Sequence, residues 1–323
     1  MFKFVFLFFL SALSLQGFCA SEEMGAEPSP SYAMGLLRSP PEAAQLLKAY
    51  DIVPEPDYKL PTKCSLNYLL EDLPIYDQGS LGACTAHAIS TALWGRMKYL
   101  EQIPFKVSRL FTYYNSRLEM GDSYLPEDSG ATFYHVFQSL KTYGFCNEEL
   151  WEYDIHKFTE KPSVRAYEAA KEHKVMDELS IAWVGPDLNK IKLSIENGCP
   201  VVFGENISSA WINVGKEGII PSPRRKDRSL GGHAMVITAY DDEDWTLTIR
   251  NSWGEEWGNK GTVKISQDEV AFFTEAWAPH NISNGAERAP LLNGMKLVLS
   301  TSTIPQDDTD VEDLSEELSG SGL

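Results

Sequence analysis

Residues 77–94 read Asp-Gln-Gly-Ser-Leu-Gly-Ala-Cys-Thr-Ala-His-Ala-Ile-Ser-Thr-Ala-Leu-Trp, and no other stretch limits the fold as much. The spacing predicts a tight loop that runs straight into a helix over 84–101. Gly79 and Gly82 allow the sharp backbone turns that other residues resist. After Cys84, the apolar residues Ile89, Leu93, Met97 and Leu100 recur at helical spacing, so one face of the helix is expected to be buried. Cys84 then sits at a helix N-terminus, where unpaired N–H groups and the helix dipole favour a thiolate. Six residues upstream, Gln78 offers an amide donor for a developing oxyanion. A nucleophile, an anion-stabilising helix end and a donor this close together point to acyl-transfer chemistry, which still needs a base.

The base is expected far downstream. Residues 231–240, Gly-Gly-His-Ala-Met-Val-Ile-Thr-Ala-Tyr, read as a strand, and 241–244, Asp-Asp-Glu-Asp, as a turn. The returning strand at 245–254 alternates Trp245, Leu247 and Ile249 against Thr246, Thr248 and Arg250. A five-residue hairpin loop would place His233 opposite Asn251, about 5 Å apart at Cβ on one face. A four-residue loop would send the two to opposite faces. The chemistry requires the first register, or a bulge that restores it.

These segments resemble those of papain-family cysteine peptidases. The loop matches that family's Gln-Gly-x-x-Gly-x-Cys, and the hairpin matches its Gly-His-Ala and Asn-Ser-Trp-Gly segments, with Trp257-Gly258 and Gly261 following. The resemblance covers roughly residues 73–279. His233 lies 149 residues after Cys84, and Asn251 a further 18. The Asp-Gln-Gly-x-Leu-Gly-x-Cys-Thr-Ala form of the loop resembles a bacterial-type branch. Leu81 stands where the family commonly has a disulfide-forming cysteine, and Thr85 where it commonly has Trp. The resemblance implies an α+β, papain-like two-lobe fold: a helical lobe and a β-barrel-like lobe with the active-site cleft between them. It implies a Cys84–His233–Asn251 triad with Gln78 as oxyanion donor, and Trp253 covering the His233–Asn251 bond. Gly82, Ser129, Gly130, Gly232 and Trp253 are the expected substrate-bordering residues. For Ser129 and Gly130 an equal alternative is a plain loop that leads into a helix at 131–143.

The rest of the chain agrees with this outline. Helices are expected at 108–120, 164–173 and 186–197, and strands at 201–204 and 261–265, so helices dominate to about 180 and strands follow. Met1-Phe-Lys3, an apolar run over 4–15 and Cys19-Ala20 fit a secretory signal peptide over 1–20, which implies a secreted or periplasmic protein. Residues 21–65 read as a partly disordered N-terminal segment without the helical pattern of a full inhibitory propeptide. The peptidase domain is expected at 66–285, with its helical lobe at 66–180 and its β lobe at 181–285. Residues 286–323 form a C-terminal extension whose tail, with seven acids after residue 300 and no basic residue, is expected to be disordered. The net charge of −18 argues against nucleic acid as a partner. No later run is apolar enough for a membrane span. A peptide or protein substrate, a monomer and no cofactor are the corresponding expectations.

Cys146 and Cys199 read as small buried hydrophobes. His87, one turn after Cys84, lies beside the sulfur rather than across a cleft, which makes it a poor base. No Cys or His pair has zinc-ligand spacing. The basic cluster at 221–228 reads as a solvated loop. Two other functions share the same residues: acyl transfer to an amine or thiol, and a catalytically idle binding module.

Overall fold

The computed structural model describes residues 32–173, 181–221, 229–282 and 293–306. The expected leader at 1–20, most of the basic loop and the acidic tail beyond 306 lie outside the described residues.

The first half carries α1 (Ala43–Leu46), β1 (Tyr50–Pro54), β2 (Lys63–Ser65), α2 (Cys84–Tyr99), α3 (Arg109–Met120), α4 (Phe133–Thr142) and α5 (Val164–Ala170). The second half carries β3 (Ile181–Trp183), α6 (Leu188–Glu196), β4 (Val201–Ile207), α7 (Ser209–Ile212), β5 (Gly231–Asp241), β6 (Thr246–Arg250), β7 (Thr262–Ser266), β8 (Phe273–Pro279) and β9 (Met295–Leu299). Side-chain caps start α3 to α6, but α1 and α2 have none. Ser108, Thr132, Ser163 and Asp187 each accept a backbone N–H from the first turn of α3, α4, α5 and α6, satisfying donors the helix itself cannot. Gly198, at φ +70°, turns the chain out of α6.

Mixed helix and sheet in this order form the two-lobed arrangement. The strands run β7-β6-β5-β4-β8-β3-β1-β9, with β2 added on β5. The expected barrel does not close, because β1 and β9 continue the sheet beyond β3 and leave β7 and β9 as its two ends. Residues 43–54 and 295–304, placed outside the peptidase domain from sequence, are built into this structure. β1 pairs with β3 on one side and with β9 on the other.

One face of α2 was expected to be buried; instead all of Cys84 to Met97 is. The helix lies between the lobes and packs against β5, β4 and β8 as well as α3 and α4. Leu93, Met97, Phe133, Phe137 and Trp277 share its helical-side core, while Phe203, Met235, Ile249, Trp257 and Ile265 fill the β lobe.

The β5–β6 hairpin has four loop residues between Asp241 and Thr246. Trp245, expected to begin the returning strand, belongs to this turn, with φ +54° and its ring exposed. Asp241 pairs with Thr246 and Ala239 with Thr248, but beyond a bulge at Thr238 Ile237 pairs with Ile249 and Val236 with Arg250. The extra residue inverts side-chain parity. Carried on, the shifted register puts His233 opposite Trp253 and returns Asn251 to the same face as His233. This is the bulge that a four-residue loop requires.

Candidate active site

Cys84 is the first residue of α2 and is fully buried. Four backbone N–H groups lie at its sulfur, from Ala234, Gly35, Thr85 and Cys84 itself. They favour the thiolate, but burial outweighs them and pushes the thiol up to about 12. The thiolate expected from the helix N-terminus is therefore protonated in this structure. The physical reason is that water is excluded from the sulfur.

His233, one residue before the Ala234 N–H that touches the sulfur, is likewise buried, and burial lowers its imidazole to about 4. Its Nε2 pairs with Asn251 Oδ1 at 2.8 Å, the one contact that raises it. Because that oxygen only accepts, Nε2 carries the proton and Nδ1 is a free acceptor with no protein partner. The Trp253 indole stacks on the imidazole at 4.4 Å between centroids. The Asn251 Oδ1 atom also accepts the Ser252 N–H at 2.7 Å, which fixes the amide's orientation.

Gln78 is pinned from several sides. Its N–H donates to Ser252 O at 2.9 Å, and its Oε1 accepts from Ser252 Oγ at 2.6 Å. With the carboxamide oxygen so occupied, Nε2 points its donors at Leu81 O (3.0 Å) and Ala33 O (3.1 Å). The Asp77–Trp253 bridge and the Gly254 N–H to Tyr76 O bond continue the seam between the oxyanion loop and the strand end.

Ala33 belongs to a strap, residues 32–37, that crosses the site. Trp253 Nε1 also donates to Ala33 O at 3.1 Å, and the Tyr32 ring stacks on the second face of Trp253 at 4.6 Å. Beyond the sulfur, Leu36 N donates to Gly232 O at 3.1 Å. Ala131 N then donates to Gly35 O at 2.9 Å, and Leu37 N to Ala131 O at 3.1 Å. Leu36 and Ala131 run parallel there. The path is narrow: a Cβ on Gly35 would overlap the Gly82 carbonyl, and one on Gly130 or Gly232 would overlap the strap backbone. The Leu36 side chain fills the space a Cβ on Gly204 would take.

Of the residues expected to border substrate, Gly82, Gly130, Gly232 and Trp253 thus all meet the strap. Ser129 does not; its Oγ bonds Gly130 O at 3.0 Å. Gly130 lies against the strap backbone, and Thr132 caps α4. Sequence reading missed Asp128 two residues upstream. Its carboxylate accepts the Gly82 N–H at 2.9 Å and the Tyr113 hydroxyl, and Tyr113 in turn accepts the Gly130 N–H at 3.0 Å. A carboxylate bridge so ties together two loops where Leu81 leaves no disulfide. His87, set aside from sequence as a base, donates from Nδ1 to Ala83 O and is held neutral by burial and by Arg109. Cys146 and Cys199 are buried free thiols, and burial pushes each up to about 12.

Comparison with known proteins gives a consistent answer. The profile described as "Papain family cysteine protease" matches residues 72–277. An uncharacterized peptidase C1-like protein of Acanthamoeba polyphaga mimivirus is 36% identical over 203 residues, 60% of this chain and 65% of that protein. Procathepsin L of Rattus norvegicus is 22% identical over 203 residues, covering 60% of this chain and 57% of its own. The match thus spans somewhat less than two thirds of the length of these curated relatives. Among solved structures, xylellain, a cysteine protease from Xylella fastidiosa, aligns with a TM-score of 0.67 and 27% identity over 78% of this chain and 97% of its own. Digestive procathepsin L2 of Tenebrio molitor larval midgut aligns with a TM-score of 0.61 at 18% identity, over 77% of this chain and 78% of its own, a likeness of fold.

Proposed function

This chain belongs to the papain family of cysteine proteases, and on that premise we propose that it is an endopeptidase, exported by its N-terminal leader and held latent by residues 32–37. The observation that carries the reading is the position of Ala33 O: a peptide carbonyl receives the Gln78 amide donor while the neighbouring Gly35 N–H touches the Cys84 sulfur. A peptide therefore fits this slot with chain on both sides of the nucleophile, the arrangement an endopeptidase needs.

The chemistry follows from the groups in place. When the strap leaves, water reaches the sulfur and imidazole, and the burial that holds both neutral is relieved. His233 Nδ1 takes the Cys84 proton, giving a thiolate and an imidazolium whose Nε2–H remains on Asn251 Oδ1. The thiolate attacks a substrate carbonyl carbon. The resulting oxyanion accepts from Gln78 Nε2 and the Cys84 N–H, where loss of one donor typically costs about 100-fold in rate. His233 then protonates the leaving amine, the C–N bond breaks and a thioester remains on Cys84. Water activated by His233 displaces the thiolate and completes hydrolysis. Trp253 keeps solvent from the imidazole–amide bond throughout.

The test is a peptide library offered to purified chain with an intact or a displaced strap. Internal cleavage, lost with Cys84→Ala and appearing on displacement, supports the reading. Product formed only by transfer to added amines would replace it with an acyltransferase.

A further inference from the structure

Against the backbone of the Gln78 loop lies a compact charged cluster that the mechanism above does not use. Tyr153 OH donates to the Gln78 backbone carbonyl at 2.9 Å. The other contact to that carbonyl is a long one, 3.4 Å from Leu81 N. The Tyr153 ring is held in turn by Arg109, whose guanidinium lies 4.6 Å from it and 4.1 Å from the Tyr76 ring on the other side. Glu148 fastens Arg109 through Nη2 at 2.7 Å and Nε at 3.3 Å, and takes the Tyr153 N–H at 2.9 Å. Neutral His87 closes the cluster: its Nε2 faces Arg109 Nη1 at 3.4 Å, and its ring meets Tyr153 edge-on at 4.6 Å. The Arg109 and Glu148 side chains are only 13% and 12% exposed, so water competes little for these bonds.

We infer that Tyr153, locked by the Arg109–Glu148 pair, is a positioning residue that sets the Gln78 amide for the oxyanion. The inference rests on the peptidase reading. Its geometry is specific: the Gln78 peptide is gripped by Ser252 O at its N–H and by Tyr153 at its C=O, one grip from each lobe. The side chain aims its donor correctly only while both hold. A displacement of a few tenths of an ångström at the backbone moves Nε2 by more than that at the tip. Gln78 acts on charge that exists in the transition state, so a loosened grip changes the rate and leaves substrate binding alone. Arg109 cannot be replaced by lysine in this role, since only a planar guanidinium lies against two rings and meets a carboxylate with two N–H groups on one edge.

The test uses full-length chain carrying Gly35→Ala, which excludes the strap, as parent. Tyr153→Phe in this parent is expected to lower kcat about tenfold with KM within twofold. Alkylation of Cys84 by iodoacetamide at pH 6 should stay within twofold, because halide displacement forms no oxyanion and does not use Gln78. Arg109→Lys should give the same split, and the double variant no further loss, as expected of residues acting through one contact. Unchanged kcat in Tyr153→Phe overturns the inference, as does alkylation that falls in step with kcat, which would mark a general disturbance of the site. A parent without peptidase activity would overturn the peptidase reading itself, and this inference with it.

Discussion

The N-terminal stretch divides at Ser39 into two regions that meet the fold in opposite ways. Residues 32–37 touch it chiefly through backbone hydrogen bonds, the Tyr32 ring and the Leu36 side chain, in a slot lined by glycines. Residues 43–54 are built into it. Ala43, Ala44, Leu47, Tyr50 and Ile52 are buried, and β1 bonds to strands on both sides. Ser300 N to Ala49 O at 2.9 Å and Ile304 N to Pro41 O at 2.8 Å add the C-terminal segment. The difference separates a segment laid along the fold from a structural element within one short stretch of chain. A segment held mainly by backbone bonds, with Leu36 its one buried side chain, can leave at the cost of a single small cavity. A segment that buries a run of apolar side chains cannot.

Four experiments bear on that contrast, and the largest effect is expected from moving a truncation point across it. Removal of residues 1–38 should leave a folded protein whose thermal midpoint lies within a few degrees of the full chain, with activity raised. Removal of residues 1–54 takes away a strand between two others and should abolish cooperative unfolding by calorimetry. Equal stability of the two would erase the distinction.

Gly35→Ala comes next. The added methyl group would overlap the Gly82 carbonyl, so the strap is excluded while every residue of the triad stays. A chain about 1% open when resting would gain about 100-fold in peptidase activity on opening. No gain would mean that the strap does not limit access.

Third is pH. Burial lowers His233 to about 4, below the 6.5 of a free imidazole, so the folded chain keeps it neutral where the unfolded chain binds a proton. His87 and His280 are shifted the same way. The His233 contribution is therefore full above about pH 6.5 and is lost as pH falls toward 4, at up to about 1.4 kcal/mol per unit, and the other two act in the same direction. The thermal midpoint should fall over that range. Cys84 has the opposite sense at the other end, since a thiol raised to about 12 disfavours the closed form as pH climbs past 9. Alkylation of Cys84 should be slow at pH 6 in the wild type and much faster in Gly35→Ala. Equal rates would show that the strap is not what buries the sulfur.

The smallest effect is expected at the junction. Ser39 Oγ donates to the fully buried Glu275 carboxylate at 2.7 Å, which Trp277 Nε1 also reaches at 2.8 Å. Ser39→Ala removes a charge-assisted bond of about 1.5–3 kcal/mol. It should raise resting activity several-fold and lower stability modestly. A full activation like that of Gly35→Ala would move the boundary from Ser39 into the strap.

Sequence made the chemistry legible because its residues carry local signatures. Cys84 after two glycines, His233 after two more and Asn251 before Ser-Trp-Gly each announce a loop, a strand start or a turn. What stayed hidden lacks such marks. Thr238 is an ordinary strand residue, and only the count of paired residues reveals it as the bulge that returns Asn251 to the face of His233. Asp128 carries no such mark, because its role depends on a backbone N–H 46 residues away. The strap fell within the segment expected to be partly disordered for a related reason: backbone bonds and a missing Cβ hold most of it, and neither leaves a hydrophobic period. The same holds for β1 and β9, short strands whose partners are distant.

The pairing of β1 with β9 also bears on how this chain is born. Tyr50 lies opposite Leu299, so β1 leaves the ribosome about 250 residues before its partner is made. Until then β1 has at most β3 beside it, with an open edge exposed to other nascent chains. The sheet is thus finished only once β9 has been made, and a chaperone that shields residues 50–54 during that interval would raise the yield of folded protein.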